Sequence, residues 1–296
     1  MRIVNVAGRL SVLVAEGVAV DVEQVSGGSW SSDPQAVFER WREFRDWASA
    51  TGLGPRADLG EWQAGRIGVR LFDEEELGAP VPRPGQVFAI GLNYRDHAAE
   101  TGLAVPTAPT VFTKFPASVT GPVADVELPE GDVDWEVELV AVVGEAGHRI
   151  REDDAWDHIA GLTVGQDLSE RVLQFTGDPA QFSLGKSYPG FAPLGPVLVT
   201  PDELDGRDDL ELGCLLNGEQ MQKGRSSDMV FDIPALVSRL SAVTPLRPGD
   251  VIFTGTPPGV GVGRSPQRFL APGDRLTSYV AGIGELHTTL VATGGA

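Results

Sequence analysis

Glu136 and Glu138 stand two residues apart at the head of an apolar run ending at Val143. On a strand, residues at that spacing share a face, with Cα atoms about 6.5–7 Å apart, so both carboxylates converge on one point. Trp135, Val137 and Leu139 then face a core. A solvated strand edge is the plain alternative, but Leu139–Val143 reads as buried, and burying two anions without a cation is costly. Carboxylates with no Cys or His beside them suit a hard ion: Mg²⁺, Mn²⁺ or Ca²⁺. Asp167 offers a third ligand, at the end of the apolar run from Gly161 and just before a helical turn, Ser169–Gln174. By itself, an Asp there reads equally well as a helix N-cap.

His97 and Glu100, spaced i,i+3, share one face of a helical turn. A carboxylate beside an imidazole orients it and raises its basicity, as a general base acting on water requires. The alternative is a solvated helix pair. Lys186 lies in the Gly-flanked loop Ser183-Leu-Gly-Lys-Ser-Tyr188, where Ala180 occupies the position a phosphate-binding loop gives to glycine, so that nucleotide reading fails. Thr254-Gly-Thr-Pro-Pro-Gly-Val-Gly261 reads as a loop whose amides and hydroxyls could hold a carboxylate.

The elements that must position these residues are mostly short strands: Arg2–Val6, Leu10–Ala15, Val18–Val22, Val87–Gly91, Thr110–Lys114, Glu136–Val143, Gly195–Thr200, Glu211–Leu216, Val251–Thr254, Arg275–Val280 and Leu286–Val291. Asp33 and Pro34 suit the start of a helix carrying Val37, Phe38, Trp41, Phe44 and Trp47. Further helical segments are expected near Asp96–Thr101 and Pro234–Ala242. Pro80, Pro82 and Pro84 forbid regular structure and mark a boundary between a small N-terminal α+β domain, 1–79, and a catalytic domain, 80–296. The fold class is therefore α+β and β-rich.

A net charge of −19 over 296 residues disfavours nucleic acid and anionic membrane surfaces as partners. The single cysteine, Cys214, excludes an intrachain disulfide framework. No apolar run reaches the roughly 18–20 residues of a membrane span, and no signal-like start is present, so a cytoplasmic protein is expected. Only Lys114, Lys186 and Lys223 among 23 basic residues are lysines, which singles them out in a chain that otherwise uses arginine.

From about Val87 onward the chain resembles the fumarylacetoacetate hydrolase family. Its pieces follow in that family's order: Gly91-Leu-Asn-Tyr-Arg-Asp-His97, Glu136-x-Glu138, Asp167, Gly185-Lys-Ser-Tyr188, Asn217–Gln222, Ser226–Pro234 and Pro248–Pro257. The resemblance implies a mixed β-sandwich roll, commonly dimeric, that binds Mg²⁺ or a similar ion through Glu136, Glu138 and Asp167. It implies His97 and Glu100 as the water-activating pair and Lys186 as a catalytic lysine. Tyr94, Lys114, Gln174, Tyr188, Gly255 and Thr256 are implied as substrate contacts, and a small anionic 2-oxo acid as substrate. The chain departs from the family's common Ala-Arg-Asp pattern after the metal aspartate, reading Ser169-Glu170-Arg171. The expected reaction is hydrolysis of the C–C bond of a 2,4-dioxo acid through a metal-stabilised pyruvate enolate. Decarboxylation of an oxaloacetate-like acid, isomerisation or dehydration of a 2-oxo acid, and a non-catalytic carboxylate-binding role are the alternatives.

Overall fold

The structure, a computed structural model, describes residues 1–53, 67–100 and 104–294. It is β-rich with few helices and mixed sheets, an α+β architecture. Across the largest sheet the strands run Val69–Leu71, Val18–Asp21, Arg9–Ala15, Arg2–Val6, Ala192–Val199, Ile159–Gln166, Val137–Val143, Val251–Phe253, Val87–Gly91 and Thr110–Thr113. All neighbours on this path pair antiparallel except Val251–Phe253 with Val87–Gly91. A five-stranded sheet runs Glu219–Arg225, Glu211–Leu216, Arg275–Val280, Gly284–Ala292 and Val123–Leu128.

The Val137–Val143 strand is buried on both faces. Strand alternation sends Val137, Leu139, Ala141 and Val143 into a core shared with Leu212, Leu276 and Leu286 of the five-stranded sheet. Val140 and Val142 join a second core with Phe38, Trp41, Phe44 and Phe253. A strand with no solvent-facing side withdraws Glu138 from water, and Glu136, just before its first residue, is nearly as buried.

Several elements differ from expectation. Among the expected strands, Ala192–Val199 starts three residues early, because its first residues pair with Val119 and Thr120. Val123–Leu128 and Glu219–Arg225 are strands that the sequence pattern does not announce. Each exposes alternate polar side chains and is held by pairing within the five-stranded sheet. Asp33 accepts from the Gln35 amide and binds Arg83, but the turn that follows, Ala36–Arg40, is a short 3-10 turn with Gln35 as its N-cap and no side-chain cap, and the α-helix begins only at Trp41. The helix expected at Asp96–Thr101 spans Arg95–Glu100, and Thr101 lies outside the described residues. Among the described residues no helix is long and apolar enough to cross a membrane.

The proline run after residue 79 carries no break in the sheet. Arg2 and Ile3 pair with Val199 and Leu198, and the aromatic face of the Trp41–Ala50 helix packs into the core that holds Val140 and Phe253. The described residues among the first 79 therefore complete the central sheet and cover one of its faces. The fragment 80–296 should lack a cooperative thermal transition, because it leaves Ala192–Val199 as a bare edge and uncovers that core. A soluble fragment with the near-ultraviolet circular dichroism of the intact chain would contradict this.

Candidate active site

The acids sit where the central strands end. The Asp167 amide donates to the Glu136 carbonyl at 2.8 Å, locking the two segments in antiparallel register. Two buried glutamines finish the alignment: Gln166 accepts from the Glu136 amide, and Gln222 accepts from the Val137 amide at 2.9 Å. Glu170, not Asp167, caps the following Arg171–Gln174 turn, accepting from the Val172 and Leu173 amides. Asp167 is thereby left to point at the glutamates. One carboxylate oxygen from each of Glu136, Glu138 and Asp167 lies within 4.8 Å of the others, and all three residues are buried.

Cations surround this cluster unevenly. The Lys186 ammonium reaches Glu136 at 2.9 Å, Asp167 at 2.7 Å and the Ser169 hydroxyl at 2.7 Å. Lys114 donates to Asp167 at 2.5 Å and to the Lys186 carbonyl. Arg171 binds Asp134 through Nε and Nη2, and Glu136 and Gln174 through Nη1. Burial alone would raise the Glu136 pKa, but Lys186 and Arg171 outweigh it and hold this carboxyl well below the usual range. Glu138 is the opposite case. Its burial, then the charges of Asp167 and Glu136, push it well above the usual range, and the Gly255 amide at 2.7 Å offsets this only in part. For Lys186, burial is outweighed by Asp167 and Glu136, so its ammonium is stabilised, whereas burial wins at Lys114 and lowers it.

His97 and Glu100 face the same place. Their Nδ1–Oε2 distance is 3.3 Å, and Glu100 also accepts from the Gly259 amide at 3.1 Å, so the helical turn is tied to the 254–263 loop. Burial would raise Glu100, but hydrogen bonds from His97 and the Gly259 amide lower it overall. A cavity of about 340 Å³ opens over the cluster, lined by His97, Glu100, Glu136, Arg171, Gln174, Lys186 and Thr256 on its polar side.

Residues 86–291 match the family model for the fumarylacetoacetate (FAA) hydrolase C-terminal domain. The chain belongs to the fumarylacetoacetate hydrolase family. It is 43% identical over 230 residues to the human mitochondrial oxaloacetate tautomerase FAHD2A, covering 77% of this chain and 73% of that one. It is 42% identical over 214 residues to the 2,4-didehydro-3-deoxy-L-rhamnonate hydrolase of Sphingomonas sp. (strain SKA58), covering 71% of this chain and 75% of that one. A solved structure of maleylpyruvate hydrolase from Sphingobium sp. SYK-6, in complex with manganese(II) and pyruvate, is similar with a TM-score of 0.78 and 25% identity over 99% of each chain. Members of this enzyme family thus include tautomerases and hydrolases of oxo acids.

Of the site residues expected for a fumarylacetoacetate hydrolase family member, Glu138, Asp167, Tyr94, Lys114, Tyr188 and Gly255 are not on the cavity wall, and Glu136 is the acid of the cluster that reaches it. Lys114 is fully buried behind the acids, and its ammonium holds Asp167 instead of reaching the cavity. The Gly255 amide is committed to Glu138. Gly255 has φ +104°, and a Cβ there would meet Asn93 at 2.7 Å, so the loop needs glycine to pass. Among the described residues the buried Tyr94 hydroxyl has no hydrogen-bond partner, while Tyr188 packs on Phe191. Thr256 lines the cavity, but its hydroxyl donates to the Val137 carbonyl and accepts from Gln222. Arg171, Asp134 and Ser169 are parts of the site that sequence reasoning passes over. Asp134 accepts from Arg171 and from the Gly261 and Val262 amides, joining the acid cluster to the loop. A signal for Arg171 exists in the sequence: it stands three residues before Gln174, on the same short turn.

Three buried carboxylates, of which Glu138 has no ion-pair partner among the described residues, fit a hard divalent ion. Because Glu138 binds protons more tightly folded than unfolded, it makes the metal-free protein lose stability as pH rises above the ordinary glutamate range. Glu138→Gln should remove that loss, so at pH 8 in EDTA it should melt above the native chain while its Mn²⁺ affinity, read by calorimetry, collapses. Equal melting in EDTA, or undiminished Mn²⁺ binding, would refute this. Lys114→Met leaves Asp167 short of a buried partner and should cost about 3 kcal/mol in urea unfolding.

Proposed function

We propose that this chain is a metal-dependent hydrolase that cleaves the C–C bond of 2,4-dioxo acids. The observation that carries the reading is that one cavity holds the His97–Glu100 pair together with Glu136 and Lys186. A divalent ion, Mg²⁺ or Mn²⁺, held by Glu136, Glu138 and Asp167 would supply Lewis-acid polarisation of the substrate's 2-oxo group. The residues of the chain carry the rest. His97, oriented by Glu100, takes a proton from water, and the hydroxide adds to the C4 carbonyl. The C3–C4 bond breaks as the C4 carbonyl re-forms, releasing the distal carboxylic acid. The electron pair passes to the pyruvate fragment as an enolate beside the Lys186 charge. Uptake of a proton at C3 completes pyruvate. Lys186 already donates to Glu136, Asp167 and Ser169, so its contribution is its positive charge near the developing anion.

A second reading, tautomerisation of an oxaloacetate-like acid, draws support from the 43% identity to the human tautomerase. It needs a proton moved between carbon and oxygen but no attacking water. The two are separated by Glu100→Gln. With Mg²⁺ present, this variant should lower acylpyruvate hydrolysis about 10²–10⁴-fold, followed as loss of the ultraviolet enol absorbance, since the pair activates water. Native-level hydrolysis in Glu100→Gln removes the water-activating role. Rapid enol–keto exchange of oxaloacetate by native protein that hydrolyses no acylpyruvate favours the second reading.

A further inference from the structure

The polar residues occupy only part of the cavity wall. Apart from Gly91 and Gly263, the rest is Ile90, Leu92, Val262 and three phenylalanines: Phe112, Phe175 and Phe182. The rings form a chain. The Lys186 ammonium lies 5.0 Å from the Phe112 ring centre, Phe112 meets Phe182 edge-on at 5.7 Å, and Phe182 meets Phe175 edge-on at 6.2 Å. Exposure rises along it: Phe112 is buried, Phe182 half-buried, and Phe175 is 52% exposed at the rim. The wall therefore leads from the charged floor to solvent as an apolar path.

The cations on this wall are already engaged. Lys186 donates to Glu136, Asp167 and Ser169, and Arg171 is held by Asp134, Glu136 and Gln174. Glu100 adds a negative charge to the lining. A second carboxylate at the distal end of a substrate would thus meet rings and an anion, and its desolvation would go uncompensated. An alkyl or aryl group there would exchange water for ring contacts.

We propose that Phe112, Phe182 and Phe175 form the subsite for the distal substituent, and that the preferred substrates are 2,4-dioxo monoacids ending in an apolar alkyl or aryl group, not dicarboxylic acids. This rests on the hydrolase reading above. The experiment compares kcat/KM for acetyl-, butanoyl-, hexanoyl- and benzoylpyruvate with that for maleylpyruvate, with Mg²⁺ at saturation. Each added methylene should raise kcat/KM about fourfold, and benzoylpyruvate should exceed maleylpyruvate by about 50-fold or more. Phe182→Ala and Phe175→Ala should each lower kcat/KM for benzoylpyruvate about tenfold, mainly through KM, and for acetylpyruvate about twofold. Phe182→Arg should narrow the gap between benzoylpyruvate and maleylpyruvate. Maleylpyruvate turned over as well as benzoylpyruvate, or alanine variants that slow every substrate alike, would overturn the proposal. Should no acylpyruvate turn over, the hydrolase reading fails by itself, and calorimetry with Mg²⁺ decides the subsite. Tighter binding of phenylpyruvate than of oxaloacetate upholds it, and equal or weaker binding overturns it.

Discussion

Three buried carboxylates at the ends of the central strands, of which Glu136 alone touches the cavity, must be neutralised largely from within the protein. Glu136, Glu138 and Asp167 converge at the ends of the central strands, where both sheet faces are covered. Lys114, Lys186 and Arg171 meet Asp167, Glu136 and the neighbouring Asp134, three cations for four acids, and among the described residues Glu138 has a backbone amide but no ion-pair partner. The cluster is thus one positive partner short, a configuration that costs stability unless a cation or a proton arrives. The burial that makes the acids expensive is also what would make them strong ligands.

Much of the molecule serves this convergence. Gln166 and Gln222 fasten the backbone at Glu136 and Val137, and Gln222 also holds Thr256 and the Pro257 carbonyl. Asp134 ties Arg171 to the Gly261 and Val262 amides, so the loop that walls the cavity and the turn that follows Asp167 are one hydrogen-bonded unit. Glu100 joins the same loop through Gly259. The N-terminal strands extend the sheet that carries the acids, and their helix seals its outer face. A site assembled from elements so far apart in the chain is set by sheet register, and a one-residue slip would turn Glu138 from the cluster to the opposite face.

Two lysines illustrate the division between a charge buried behind the acids and a charge at the cavity wall. Both Lys114 and Lys186 reach Asp167, yet only Lys186 lines the cavity. Lys223 pairs with Glu211 at the surface. An arginine's planar fork would not fit where one ammonium must sit between Glu136, Asp167 and Ser169, which accounts for lysine at position 186 in an arginine-rich chain.

The order of motifs, the Glu-x-Glu spacing and the i,i+3 pair of His97 and Glu100 were readable from the chain, because strand and helix periods turn sequence spacing directly into shared faces. Most strands were readable for the same reason, from their apolar runs. The strands Val123–Leu128 and Glu219–Arg225 were not: the first alternates over only a few residues, and the second is polar on both sides, with Met221 its one large apolar residue. Nor were the separate fates of Gly255 and Thr256, or of the two buried lysines. Those depend on which partner lies within hydrogen-bond reach, and that partner is often a hundred residues away, as Glu138 is for Gly255. Residue types and local spacing are properties of the sequence alone. Which acid lacks a cation, which lysine faces the cavity and which rings line it were decided only by long-range packing, because burial and contact distance exist only once the sheets have closed.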